Sequence, residues 1–255
     1  MAVNQSFVYN MLHDDALGVE RLLAAAAAIG YRAVEFWGRD SVPFDDIVKL
    51  APKHGLRVAT MVGGGGFNDP AKHDQLEAEI KTAIDIAADN DIPGLIVLSG
   101  NCAGMDKWTG LRNCAAGLRR VAPYAEAKGV NLNMELLNSK VDHPDYMCDE
   151  TLWAVTLCDL VASPRVKILY DIYHMQIMEG DLCRTIERYG SYMGHYHTAG
   201  NPGRRDMDDA QEINYKAVMA AVDASGYDLY VGHEFRPKGS DVVAALKAAY
   251  EACLV

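Results

Sequence analysis

The sequence predicts a (β/α)8 barrel. Three observations predict it. Short apolar runs alternate with helix-patterned segments along the whole chain. Eight such pairs fit into 255 residues, about 32 residues each. The last four runs end on Glu135, Asp171, His197 and Glu234, residues that can bind a metal. The C-terminal ends of the strands are where such a barrel carries its active site. An open doubly wound sheet is the other arrangement of alternating units. No linker, charge block or composition shift marks a second domain, so residues 1–255 read as one domain.

The elements follow in order. Residues 6–11 form the first strand, and the Ala- and Leu-rich stretch 15–29 the first helix, stopped at Gly30. A strand at 32–37 precedes a helix at 44–54, closed by Gly55. A strand at 57–62 leads into four glycines. Leu76, Ile80, Ile84 and Ala87 give 69–90 a helical period. A strand at 94–98 and a helix at 107–128, ended by Gly129, complete the first half. The second half repeats the scheme with strands at 130–135, 166–171, 192–197 and 227–234. Its helices are expected at 148–161, 181–189, 214–224 and 240–253, with Ser240 as a candidate N-cap.

Composition narrows the function. Half of the residues are hydrophobic, enough for one large core. No run of eighteen apolar residues occurs, so no membrane span is expected. The first residues lack a basic region followed by an apolar one, so a cytoplasmic location is expected. The six cysteines form no Cys-x-x-Cys pair and read as reduced thiols. The net charge of -11 repels polyphosphate and argues against a nucleic-acid partner. A small anionic substrate stays compatible, because a bound divalent cation reverses the local field. A homo-oligomer is compatible as well.

The four strand-tip residues carry the chemistry. Two Glu, one Asp and one His offer mixed oxygen and nitrogen donors. Such a set suits Mn²⁺ or Mg²⁺, and less specifically Co²⁺, Fe²⁺ or Zn²⁺. Without a cation, three carboxylates on one site repel one another. Singly, each residue reads equally as a helix cap or a solvated loop residue. Four on consecutive strands do not.

Other residues are candidates around this set. His174, expected on the loop after Asp171, can donate to a substrate hydroxyl or bond a neighbouring loop. His195 and His197 share one side of a strand, one as ligand and the other as its support. Glu35 faces the site or pairs with a barrel arginine. Lys140, Arg204, Arg205 and Arg236 lie on loops after strands five, seven and eight, where one or two can bind a substrate carboxylate. The run 63–66 lacks the Gly-Lys-Ser/Thr of a phosphate loop and reads as a mobile loop beside the site. Trp37, Phe67 and Trp108 are expected on barrel-top loops, walling the pocket or packing.

Five segments carry a resemblance. Met-Glu-Leu-Leu-Asn-Ser-Lys-Val-Asp-His-Pro (134–144), Tyr-Asp-Ile-Tyr-His-Met-Gln-Ile-Met-Glu-Gly-Asp (170–181), Gly-His-Tyr-His-Thr-Ala-Gly-Asn-Pro-Gly-Arg (194–204), Glu-Ile-Asn-Tyr (212–215) and Val-Gly-His-Glu-Phe-Arg-Pro (231–237) are similar to those of hydroxypyruvate isomerases. That family lies within the xylose-isomerase-like barrels, with the tagatose and psicose 3-epimerases as relatives. The resemblance is strong over 130–240 and general before that. It implies Glu135, Asp171, His197 and Glu234 as metal ligands, with Glu135 and Glu234 moving protons. It implies His174 and Arg204 as substrate contacts. The chain departs from the isomerases in having His197 in place of Gln, Arg236 in place of Lys, and Gly200 in place of an acidic residue.

The expected reaction follows from the substrates of such enzymes. A carbonyl beside a hydroxyl-bearing carbon can chelate a divalent ion, which stabilises the enediolate formed when the carbon-bound proton leaves. Return of the proton to the neighbouring carbon is isomerisation, as between hydroxypyruvate and tartronate semialdehyde. Return to the same carbon from the other face is epimerisation of a ketose. A keto-inositol dehydratase would use the same metal site. A deoxyribonuclease would need more histidine ligands and a basic groove. A metal-free binding barrel is the non-enzyme alternative.

Overall fold

The computed structural model describes residues 3–255. Eight strands close into a barrel in sequence order. They are β1 (Asn4–Val8), β2 (Ala33–Phe36), β3 (Arg57–Gly65), β4 (Gly94–Leu98), β5 (Asn131–Glu135), β6 (Val166–Asp171), β7 (Met193–Thr198) and β8 (Tyr230–His233). The helices between and after them are α1 (Val19–Ile29), α2 (Phe44–Leu50), α3 (His73–Asp89), α4 (Lys107–Lys128), α5 (Thr151–Val161), α6 (Ile172–Met178), α7 (Leu182–Tyr189), α8 (Tyr215–Ala224) and α9 (Val242–Ala252). The predicted (β/α)8 barrel is the observed fold. No helix among the described residues is long and apolar enough to cross a membrane.

Contact density divides the chain into two compact units. One holds Met1–Met61, Asp181–Ser191 and Tyr196–Val255, the other Val62–Gly180 and Tyr192–His195. Two of the divisions fall inside β3 and β7.

In the first unit β1 is the central strand. It pairs in parallel with β2 through Ser6 and Ala33, and with β8 through Ser6 and Gly232. Outside this sheet Tyr31 packs edge-on against Phe7 and His233 and donates from its hydroxyl to Leu246 O at 2.9 Å. His233 sits between Gln5 Oε1 and Thr198 Oγ1, each 2.7 Å away. Burial pushes its ring down to about 3, with His197 acting in the same direction and Glu35 opposing. The ring is therefore neutral. Gln5 Oε1 can only accept, so Nε2 donates to it and Nδ1 accepts from the Thr198 hydroxyl. Side chains alternate across a strand. His233 anchors the outer side of β8 one residue before Glu234.

In the second unit β4, β5 and β6 run parallel in register, with Ile96 opposite Asn133 and Met134 opposite Ile168. Helix α3 lays Leu76, Ile80, Ile84 and Ala87 against this sheet, as its apolar period requires. The glycine run corrects an expectation. It is not a mobile loop, because β3 extends through Gly65. A Cβ at Gly63 would lie 3.2 Å from a Leu95 methyl, and one at Gly64 3.1 Å from an Ile80 methyl. The glycines admit the neighbouring strand and helix at close range.

Other boundaries move for local reasons. Strand β8 starts at Tyr230, because the Tyr227 hydroxyl donates to Tyr230 O at 2.8 Å and closes a turn there. Residues 172–178, expected as loop, form α6. The cap of α9 is Asp241, whose carboxylate accepts from Ala244 N at 2.9 Å; Ser240 lies outside the helix. All six cysteines are free thiols, Cys183 exposed and the rest at least half-buried.

The α9 cap is directly testable. Asp241→Ala should lower the unfolding free energy by about 1 kcal/mol in urea titrations, whereas Ser240→Ala should leave it unchanged. Equal effects would return the cap to Ser240.

Candidate metal centre

Glu135 is the last residue of β5 and Asp171 the last of β6. The apolar residues before them bury against the helices and carry the carboxylates into the barrel top. Asp171 also starts α6. Its Oδ1 accepts the backbone N–H of His174 at 3.1 Å, an N-cap bond that fixes the carboxylate. His174 is thus in the first turn of a helix, not on a loop. It is fully buried, with Nε2 3.6 Å from Asp171 Oδ2.

Asn138 holds the other side of that ring. Its backbone N–H and its side-chain amide reach His174 Nδ1 at 3.2 and 2.6 Å. The same amide donates to Asp142 Oδ2 at 2.6 Å, and its carbonyl accepts from Val141 N and Asp142 N at 2.9 and 2.8 Å. The Tyr173 hydroxyl donates to Asp142 Oδ2 at 2.8 Å. Sequence reasoning missed this network. The Asn-to-Asp spacing of four residues is a signal for an Asx-type turn, but not for its partner.

His197 lies on β7, and Glu234 directly follows β8. His197 Nδ1 is 3.1 Å from Glu234 Oε2, and its Nε2 is 3.4 Å from Glu35 Oε1. All three side chains are buried. Glu35, on β2, thus faces the site. Gly232 makes room for it, since a Cβ there would overlap Glu35 Oε1. Trp37 Nε1 donates to Glu234 Oε1 at 2.6 Å, and the Arg204 guanidinium donates to Glu234 Oε2 at 2.5 Å. Burial alone would raise the Glu234 carboxyl. The charges of Arg204 and His197 and the N–H donors around it outweigh burial and hold it well below the usual carboxylate range.

The structure brings the four strand-tip residues together. Glu135, Asp171, His197 and Glu234 each offer a ligand atom, and these atoms lie within 4.8 Å of one another. Glu35, His195 and His197 form a second group of the same kind. Ligands about 2.1 Å from one ion stand up to about 4.2 Å apart, close to the observed span. Three buried carboxylates and one imidazole at this range fit a divalent cation.

Other candidates fall elsewhere. Lys140 donates to Ile177 O and Met178 O at 3.1 and 3.0 Å, capping the C-terminal end of α6. Arg236 is exposed, and its backbone N–H bonds Arg204 O at 2.9 Å. Arg205 donates to Pro237 O. Trp108 is in α4 and 61% exposed, and Phe67 is a core residue. Of the three aromatic residues, Trp37 is the one that touches a strand-tip carboxylate in the described contacts. At Gly200 a Cβ would overlap Asp206 O, so the tight turn from 200 to 206 excludes any side chain there.

Comparison with known proteins places this geometry. The model of the xylose isomerase-like TIM barrels matches residues 23–252. The chain belongs to that family. Among curated relatives, the 2-oxo-tetronate isomerase of Pectobacterium atrosepticum is 28% identical over 240 residues, 90% of each chain. The hydroxypyruvate isomerase of Escherichia coli K12 is 36% identical over 121 residues, 48% of this chain and 46% of that one. Among solved structures, an AP endonuclease of family 2 from Brucella melitensis superposes with a TM-score of 0.85 at 24% identity, covering 95% of this chain and 96% of the other. That likeness bears on the fold alone. The curated relatives are isomerases, and this barrel is an enzyme of that class.

The close approach at β8 gives a sharp test. Gly232→Ala should displace Glu35 and cost about 1–3 kcal/mol of stability in thermal unfolding. Pairing it with Glu35→Ala should recover part of that loss. No recovery in the double variant would mean that the glycine serves the strand and not the carboxylate.

Proposed function

We propose that this protein is a divalent-metal isomerase of a short 2-oxo acid with a hydroxyl on the neighbouring carbon, of the hydroxypyruvate type. The observation that carries the reading is the buried group of three carboxylates and one imidazole within 4.8 Å. The names of the curated relatives, 2-oxo-tetronate isomerase and hydroxypyruvate isomerase, support the substrate class.

Glu135, Asp171, His197 and Glu234 would hold the ion, with Mn²⁺ or Mg²⁺ suited best by the oxygen-rich set. When bound, the ion supplies positive charge to the substrate oxygens as negative charge develops on them. The rest falls to the chain's own residues. One of Glu135 and Glu234 takes the proton from the hydroxyl-bearing carbon. The other stands ready across the planar enediolate; return of a proton to the adjacent carbon, with the hydroxyl proton passing to the former carbonyl oxygen, gives the aldehyde isomer. His174 presents a ring nitrogen beside Asp171, within the reach of a substrate hydroxyl. Glu35 orients His197 through the ring nitrogen turned away from Glu234.

Arg204 is the best-placed cation for the substrate carboxylate, because it already stands against Glu234. Lys140 is committed to the α6 carbonyls, and Arg236 points into solvent.

Protein purified without chelators should carry about one divalent ion per chain by elemental analysis. Asp171→Asn should keep the circular dichroism spectrum and lose the ion. Wild-type protein that holds no ion and ignores chelators would sink the metal reading.

Turnover of hydroxypyruvate should fall about a thousandfold in Glu135→Gln and in Glu234→Gln. Arg204→Met should raise KM for this acid about ten- to a hundredfold. Near-normal turnover in either Gln variant removes that residue from proton transfer. Wild-type preference for an uncharged ketose over the acid would make a 3-epimerase the better reading.

A further inference from the structure

We propose that Asn138 is a positioning residue that locks His174 as the neutral tautomer with its proton on Nε2. The ring then presents one fixed N–H beside Asp171 and no proton on its far side.

Three neighbours decide the orientation of the Asn138 amide. Its Oδ1 accepts from two backbone N–H groups, those of Val141 and Asp142. Its Nδ2 faces Asp142 Oδ2 at 2.6 Å. Exchanging Oδ1 and Nδ2 would set donor against donor twice and acceptor against acceptor once. The NH₂ end therefore points at His174. It stands 2.6 Å from Nδ1, and the backbone N–H of the same residue adds a second donor at 3.2 Å. Two donors directed at Nδ1 require its lone pair to be bare. A neutral imidazole with a bare Nδ1 carries its proton on Nε2. An imidazolium would turn an N–H into both donors.

Burial makes the selection strict. Asn138 and His174 are both fully buried, so water does not stand in for a mismatched partner. Tyr173 donates to Asp142 from the residue before His174, which ties the loop to the first turn of α6. His143 packs edge-on against the ring at 5.2 Å between centroids, and Tyr173 does so at 5.1 Å. The ring is thus held by rings on its faces, by the N-cap bond on its backbone and by Asn138 on Nδ1. The role of Nε2 as donor to a substrate oxygen rests on the function proposed above; the tautomer does not.

The test exchanges the two side chains of the network. Asn138→Asp together with Asp142→Asn keeps an amide–carboxylate pair and keeps an oxygen for the two backbone N–H groups. It replaces the donor facing Nδ1 with an acceptor. Long-range proton–nitrogen correlation spectra of histidine-labelled enzyme read the tautomer, with His174→Gln assigning the signals. In the wild type, His174 Nδ1 should be of the unprotonated type and Nε2 of the protonated type. In the exchanged variant Nδ1 should become protonated. Asp142→Asn alone should keep the wild-type pattern. If the exchanged variant does not fold, Asn138→Ala replaces it, and the ring should then show mixed tautomers. A protonated Nδ1 in the wild type, or a pattern indifferent to every change at 138, overturns the inference. On hydroxypyruvate the exchanged variant should lose about tenfold in kcat/KM. A switched tautomer with unchanged kcat/KM would uphold Asn138 and remove His174 from the reaction instead.

Discussion

Buried carboxylates repel one another, and that repulsion governs the top of this barrel. Glu135, Asp171 and Glu234 offer oxygens within 4.8 Å of one another, all out of water. Isolated, each charge would be costly at such a depth, and each would repel the others. The chain offsets this cost with donors placed one by one. Asp171 receives a backbone N–H at the start of α6. Glu234 receives the Trp37 indole and the Arg204 guanidinium, and stands against His197. At Glu234 the Arg204 charge, His197 and the Trp37 N–H together outweigh burial and hold the carboxyl below its ordinary range. A cation held by the whole group would add to these donors rather than replace them.

That constraint explains why so many residues near the site act on other residues. Lys140 holds the end of α6, α6 holds His174, and Asn138 holds the ring. His233 anchors the outer side of β8 while the next residue turns inward. Gly232 exists as glycine because Glu35 occupies the volume its Cβ would need. A site that must keep several charges at fixed separations in low dielectric tolerates little movement of its ligands. The supporting contacts therefore extend from the strand tips into loops and the first turns of helices.

The fold and the four strand-tip residues were legible in the sequence because both depend on local pattern. An apolar run that ends on an acid is visible without knowing its neighbours. Helix α6 is hidden in the sequence because it is seven residues long and its start signal, Asp171, also has the character of a ligand. Nothing local in the sequence reveals Ile80 and Leu95 pressing on the glycine run before Phe67. Lys140, Arg204 and Arg236 look alike as basic loop residues, and their partners alone tell them apart. The Asn138 network needed contacts across 36 residues, between the loop after β5 and the helix after β6, which a single chain does not display.

His197 in place of a glutamine does not by itself select a ketose. Its ring joins Glu234 on one nitrogen to Glu35 on the other, a bridge made with a stiff side chain. That arrangement bears on the geometry of the four-residue group at the strand tips. Gly200 in place of an acid bears on charge. Its turn has no space for a side chain, so this loop brings no carboxylate from position 200 to compete for Arg204. Arg204 itself sits in the left-handed region at φ 55°, a backbone state that side chains rarely adopt, and its carbonyl is fixed by the Arg236 N–H. The loop accepts this strained backbone state and with it sets one guanidinium against Glu234.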